Sequence, residues 1–138
     1  MYLEYGHVYF NQKNYETAHE SYRIALRAAE ETENLPIILK SMTAISRVEV
    51  AQKKFKSALE IAKKIQFFLD EEISPAIEVE CREQFLGACL RMGKFSEISK
   101  YAPKALELAQ KIGDVENESK ILNVFAISFA VKGEYKAA

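Results

Sequence analysis

The segment GEYKAA (residues 133–138) decides the fold, because three earlier segments repeat its pattern. They are KNYETA (residues 13–18), KKFKSA (residues 53–58) and GKFSEI (residues 93–98). An aromatic residue fills the third place of each segment, at positions 15, 55, 95 and 135, so the step is 40 residues. Recurrence at a fixed spacing of this size is typical of stacked structural repeats. The sequence therefore predicts a solenoid that presents a surface to a partner.

The composition indicates an ordered, helix-rich chain with no domain boundary. Of its 138 residues, 49% are hydrophobic and 28% charged, with five glycines and three prolines and no Pro/Ser/Gly-rich linker. A net charge of −1 provides no positive field for phosphates, so we expect no nucleic-acid partner for this domain. No apolar run approaches the roughly 20 residues that span a bilayer. Glu4 and His7 also interrupt the apolar core that a signal peptide requires. We expect no membrane contact and a cytoplasmic location.

Residues that carry catalytic or metal chemistry are not grouped in this sequence. Cys81 and Cys89 are separated by roughly 12 Å of rise on one predicted helix, which is too far for a disulfide between them. We expect both to be reduced and mostly buried. Neither His7 nor His19 has a cysteine or carboxylate at metal-ligand spacing, and no phosphate loop or paired nucleophile and base is present. The sequence predicts no enzyme activity, no metal and no cofactor.

Apolar stripes and helix-breaking residues set the predicted helix boundaries. Asn34, Ser74 and Asp114 are N-cap candidates 40 residues apart. With the aromatic positions they predict helix pairs at about 1–13 with 15–32, 35–52 with 55–72, 75–92 with 95–112, and 115–132 with a last helix that has barely begun by residue 138. Helices separated by one or two residues fold back on each other. The sequence predicts an all-α chain with a single domain, 1–138, and units of about 1–33, 34–73, 74–113 and 114–138.

Two residues do not suit a helix interior. Gly6 lies within the stripe of Tyr2, Tyr5 and Tyr9, and glycine there costs about 1 kcal/mol relative to alanine. We therefore expect Gly6 to allow another helix to approach closely. Pro103 falls inside the predicted helix 95–112, where proline costs roughly 3 kcal/mol. This predicts a kink near Tyr101, or a helix that begins there.

In this register the chain resembles the tetratricopeptide repeat family. The family's small, aromatic and alanine positions are matched in the first unit by Gly6, Tyr9, Tyr15, Ala18, Tyr22 and Ala25, and in the last by Ala126, Phe129, Gly133, Tyr135 and Ala138. The spacing exceeds the usual repeat of about 34 residues and is similar to the family's long-helix branch. The resemblance implies a right-handed superhelical solenoid of antiparallel helix pairs, with about three and a half repeats.

The resemblance also implies where a protein or peptide ligand would lie, because the first helix of each repeat lines the concave face in this family. Carried over by register, the candidate partner-binding residues are His7, Phe10, Asn11, Lys40, Arg47, Glu83, Asn123 and Ile127. Asparagine side chains both donate and accept hydrogen bonds, and Arg47 suits a carboxylate. The alternative is a solvated inner face on which Arg47 and Glu83 pair with each other, an interaction worth about 0–1 kcal/mol.

The predicted helix at 115–132 is apolar nearly all round. Such a surface marks an interface or an uncovered helix face. We therefore expect either self-association as a homodimer through residues 115–138, with Leu122, Phe125 and Phe129 at the contact, or a longer natural array of which this chain is a fragment. The predicted function is a non-catalytic protein- or peptide-binding scaffold. The alternatives are a sensor or regulatory region of a larger signalling protein or transcriptional regulator, and a homo-oligomerisation module.

Overall fold

The computed structural model describes residues 2–69 and 73–137, which form seven helices and no strand. The helices are α1 (Tyr2–Asn11), α2 (Tyr15–Glu31), α3 (Leu35–Ala51), α4 (Phe55–Gln66), α5 (Pro75–Arg91), α6 (Phe95–Ile112) and α7 (Val115–Ala137). The predicted all-α class is confirmed.

Each helix packs on the next one in the chain, which gives a solenoid of three helix pairs followed by α7. Among the odd-numbered helices, α3 also packs on α5 and α5 on α7. These helices form one layer of the solenoid, called here the odd-helix layer. The even-numbered helices begin at Tyr15, Phe55 and Phe95, the aromatic positions from which the fold was predicted.

Two of the three predicted N-caps make the expected hydrogen bond. The side chain of Asn34 accepts from the amide of Ile37 at 3.4 Å, and Asp114 Oδ1 accepts from the amide of Asn117 at 3.1 Å. Ser74 stands in the cap position before α5 without a side-chain cap bond. Residues of this type stop one helix and start the next, and so they fix the pairing of the helices.

Small residues let the helices pack closely. Ala18, Ala25 and Ala29 of α2 are buried as predicted. Gly6 of α1 is buried against the ring of Tyr22, and a Cβ atom at position 6 would lie 2.5 Å from Cδ1 of that ring. No real Cβ contact is that short, so the expected close approach at Gly6 is confirmed.

Helix α4 ends earlier than the predicted residue 72, at Gln66. The amides of Phe67 and Phe68 bond to carbonyls three residues earlier, at 3.1 and 2.9 Å, which tightens the chain into a turn. Leu69 and Ile73 then join the apolar cluster between α3, α4 and α5. Burial of these two side chains outweighs continuation of the helix. Residues 70–72 lie outside the described part of the chain.

Helix α6 is continuous from Phe95 to Ile112 and contains Pro103, so the predicted alternative of a helix that begins near Tyr101 is wrong. Pro103 is exposed, which places the ring on the solvent side of the helix. Tyr101 instead packs edge-on against Phe85, with ring centroids 5.6 Å apart. The helix therefore accommodates Pro103 because its opposite face is held by the core.

The predicted end of this helix at residue 132 is also wrong, because α7 continues through Gly133 to Ala137. A separate helix needs a costly nucleus, whereas continuation adds one backbone hydrogen bond per residue. Extension of α7 through Gly133 is therefore favoured over a new start.

Candidate functional site

A cleft separates α1 from α3. Both helices pack on α2, but within the described residues their backbones lie further apart than those of α3 and α5 or of α5 and α7. The gap holds a cavity of about 680 Å³, called here the α1–α3 cleft. It is an interruption in the odd-helix layer.

The cleft has an apolar floor and a polar rim. The floor is formed by Ala25, Ala28 and Ala29 of α2, and Ala44 of α3 adds to one wall. Their methyl groups leave space that larger side chains would fill. The other lining residues are Tyr2, Leu3, Glu4, His7, Thr32, Asn34, Ile37, Lys40, Arg47 and Glu80. Apolar surface with a few polar groups around it is the usual composition of a ligand site.

His7 forms part of the α1 wall and is held by Tyr22. Its Nδ1 atom lies 2.7 Å from the Tyr22 hydroxyl, and the two rings meet edge to face with centroids 5.4 Å apart. Burial, followed by the nearby Arg47 guanidinium, lowers the pKa of His7 below 6.5, while Glu80 and Glu4 oppose the shift. Near neutral pH the cleft therefore presents an uncharged imidazole in a fixed orientation.

Arg47 and Glu80 join α3 to α5 at the rim. Arg47 Nη2 donates to Glu80 Oε1 at 3.3 Å. The alternative interpretation from sequence paired Arg47 with Glu83 instead. Glu83 is half-buried, and burial raises its pKa while the charges of Lys120 and then Arg47 oppose that rise. Because both members of the Arg47–Glu80 pair are partly exposed, the pair is worth about 0–1 kcal/mol and exchanges readily for a ligand contact.

The structure brings together three of the residues predicted to bind a partner. His7, Lys40 and Arg47 all line the α1–α3 cleft. Phe10 instead packs into the core cluster beside Tyr15, with ring centroids 5.6 Å apart. Asn11 is exposed at the end of α1 and does not line the cleft.

The remaining predicted residues lie on α5 and α7. Glu83, Asn123 and Ile127 do not line the cleft, and both Asn123 and Ile127 are exposed. The residues predicted for self-association differ in exposure. Leu122 is 45% exposed and Phe129 59% exposed. Phe125 is half-buried and stacks on Phe129, with centroids 4.9 Å apart and planes at 12°.

Reasoning from sequence missed the contribution of α2. It assigned the binding surface to the first helix of each repeat, whereas the floor of the cleft belongs to a second helix. Three alanines within the five residues 25–29 were the available signal, because short side chains on one part of a helix leave room above it. The position of Thr32 and Glu80 at the rim depends on how far α1 stands from α3, which no local pattern specifies.

The described residues show little sign of metal or thiol chemistry. They contain no group of three or more His, Cys, Asp or Glu side chains that would hold a metal ion. Cys81 and Cys89 are free and buried, and burial raises their pKa to about 11 and about 12. Such thiols remain protonated and are poor nucleophiles.

None of the helices in the described part of the chain is both long and apolar enough to cross a membrane.

A family model matches residues 1–65, which cover α1 to α3 and nearly all of α4. The description of that family is tetratricopeptide repeat. None of the curated proteins compared with the chain matches it.

Proposed function

We propose that this chain, which belongs to the tetratricopeptide repeat family through residues 1–65, binds an extended segment of a partner protein on its odd-helix layer. Proteins with these repeats are generally scaffolds for protein–protein interaction and are typically non-catalytic. The observation that carries the proposal is the α1–α3 cleft, a gap of about 680 Å³ with an alanine floor. The partner segment is anchored there.

The floor of the cleft suits a large apolar side chain of the ligand. Ala28 is exposed and lines the cleft. Burial of a leucine or phenylalanine side chain is worth roughly 1.5–3 kcal/mol, which is enough to make this contact the main anchor. An isoleucine or phenylalanine in the partner would meet the methyl groups of Ala25 and Ala29 on either side.

The rim of the cleft suits a ligand with both polar and charged groups. Lys40 is exposed on the α3 side, and the Arg47–Glu80 pair stands at the α5 side. A rim with both signs of charge orients a peptide more than it attracts a highly charged one. Neutral His7 adds a hydrogen-bonding group whose orientation Tyr22 fixes. In this proposal Glu83, Asn123 and Ile127 continue the contact along α5 and α7.

Selection of peptides on the immobilised chain tests this function. Peptides enriched from a random phage-displayed library are labelled, and their affinities are measured by fluorescence anisotropy. The informative variant is Ala28→Phe, which fills the cleft from an exposed position. The control is Ser96→Phe, at an exposed small residue of α6, which is outside the odd-helix layer and does not line the cleft. Circular dichroism confirms that both variants stay helical.

We expect selected peptides to contain a large apolar residue and to lose about tenfold or more in affinity for Ala28→Phe, a change of about 1.4 kcal/mol. The same peptides should bind Ser96→Phe as they bind the wild-type chain. Enriched peptides that bind both variants equally, or a selection that enriches none, would rule out the cleft as the anchor.

Self-association through α7 is a second candidate function. Val115, Leu122 and Phe129 are exposed at seven-residue spacing along one side of α7, the spacing with which helices pair in coiled coils. Multi-angle light scattering on the wild-type chain should then show a dimer, and Leu122→Glu together with Phe129→Glu should yield a monomer. A wild-type chain that remains monomeric at high concentration would exclude this function.

A further inference from the structure

A second groove lies between α2 and α4, over the first half of α3. Its volume is about 530 Å³, and it is called here the α2–α4 groove. The lining residues are Leu26, Glu30, Glu33, Leu35, Ile38, Met42, Lys64 and Phe68. None of them lines the α1–α3 cleft, so the two sites are separate surfaces.

The groove borders the C-terminal end of α4, which is a short helix. Helix α4 has 12 residues, whereas α2 has 17 and α6 has 18. The difference of five or six residues corresponds to about 8 Å of helix. The turn at the end of α4 leaves Phe68 43% exposed and Phe67 87% exposed. Phe68 is thereby available as an apolar contact at the edge of the groove.

The floor of the groove is apolar. Leu35, Ile38 and Met42 of α3 are only partly buried there. Leu26 of α2 and Phe68 of the turn after α4 line the same space from the two sides. A methionine side chain adapts its shape to a partner, and a phenylalanine side chain offers a large apolar surface. Both residue types are enriched at protein interfaces.

The two sides of the groove differ in charge. On the α2 side, Glu30 and Glu33 are both exposed, whereas Lys64 on the α4 side is an exposed cation. A ligand helix complements these charges when its basic residues face α2 and its acidic residues face α4. The reversed orientation would place like charges against each other.

We propose that the α2–α4 groove binds an amphipathic helix of a partner protein. Its apolar residues, at i, i+3 or i+4 and i+7, pack on Met42 and Phe68, and Lys or Arg residues on one flank pair with Glu30 and Glu33. A helix is the occupant because the groove is apolar, runs between helices and accepts the side-chain ridge of another helix. The chain then holds two partner segments on separate surfaces, an extended one in the cleft and a helical one in the groove.

The test uses a phage-displayed library of single-helix peptides, varied at one apolar face and at its two flanks. Enriched peptides are synthesised and their affinities measured by fluorescence anisotropy. Phe68→Ser removes a groove contact. Phe67→Ser is the matched control, because Phe67 is the neighbouring, more exposed phenylalanine and does not line the groove. Glu30→Lys reverses one charge at an exposed position on the acidic α2 side of the groove.

We expect Phe68→Ser to weaken the selected peptides about tenfold or more and Phe67→Ser to leave their affinity within about twofold. Peptides with a basic flank should bind the Glu30→Lys variant more weakly than the wild-type chain. Replacing the basic residues of that peptide flank with glutamate should restore the affinity for the variant. Three results would overturn the proposal. They are a selection that enriches no helix, equal affinity for the two serine variants, and loss of binding in Ala28→Phe, which would place the peptides in the α1–α3 cleft.

Discussion

Replacing Gly6 with alanine tests whether the close packing of α1 on Tyr22 is as tight as the structure indicates. Alanine is favoured over glycine in a helix by about 1 kcal/mol. Against this, the added Cβ would lie 2.5 Å from Cδ1 and 2.9 Å from Cζ of Tyr22. The Tyr22 side chain is only 2% exposed and cannot swing into solvent. Overpacking of this kind costs about 1–3 kcal/mol. We therefore expect a net loss of about 0–2 kcal/mol in the free energy of unfolding.

Gly87 in α5 provides the matched control. A Cβ atom at that position meets nothing within 4 Å, so Gly87→Ala should gain the full helical preference of about 1 kcal/mol. The two identical replacements should differ by about 1–3 kcal/mol in urea unfolding followed by circular dichroism. The resonances of His7, which bonds to the Tyr22 hydroxyl, should shift in Gly6→Ala only. Equal stabilisation by both replacements would refute the tight contact.

Three further predictions concern single groups. Lys53 has a left-handed φ of 63°, so Lys53→Gly should raise the free energy of unfolding by about 1 kcal/mol, measured in urea. Burial and then Arg47 lower the pKa of His7 below 6.5. An NMR titration of His7 should therefore show a midpoint below 6.5 that rises in Arg47→Gln. The stability contributed by neutral His7 is present above pH 6.5 and is lost as the pH falls through the folded-state pKa. Cys81 and Cys89 are buried with raised pKa, so a disulfide reagent should label both slowly in the native chain and quickly in urea.

Each of these predictions has a contrary result. A Lys53→Gly variant less stable than wild type would show that residue 53 does not hold a strained backbone. A His7 midpoint above 6.5 would mean that neither burial nor Arg47 governs it. Native thiols that react as fast as those in urea would place Cys81 or Cys89 at the surface.

Local sequence signals predicted most of the helix starts. Tyr15 and its equivalents begin the even-numbered helices, and Asn34 and Asp114 cap the helices that follow them. These signals act over three or four residues, so a linear sequence displays them directly. The end of α4 depends instead on Leu69, which leaves the helix to be buried against residues distant in sequence. Long-range burial overrides local helix preference at that point.

The candidate site was only partly predictable for the same reason. Register alone placed His7, Lys40 and Arg47 on one surface, and they do line one cleft. The cleft itself results from the separation of α1 and α3 above α2, which depends on tertiary packing. The contribution of Ala28 and the pairing of Arg47 with Glu80 follow from that separation and are not visible in the helix pattern.

Photo-crosslinking of a selected extended peptide to the chain decides where the partner segment is anchored. The apolar residue of the peptide is replaced by a benzophenone amino acid, the complex is irradiated, and the crosslinked fragment is identified by mass spectrometry. Anchoring in the α1–α3 cleft predicts crosslinks within residues 25–32 of α2 and its following turn, or within residues 37–47 of α3. Crosslinks confined to α6 or α7 would contradict a cleft-anchored ligand and move the binding surface to the other end of the chain.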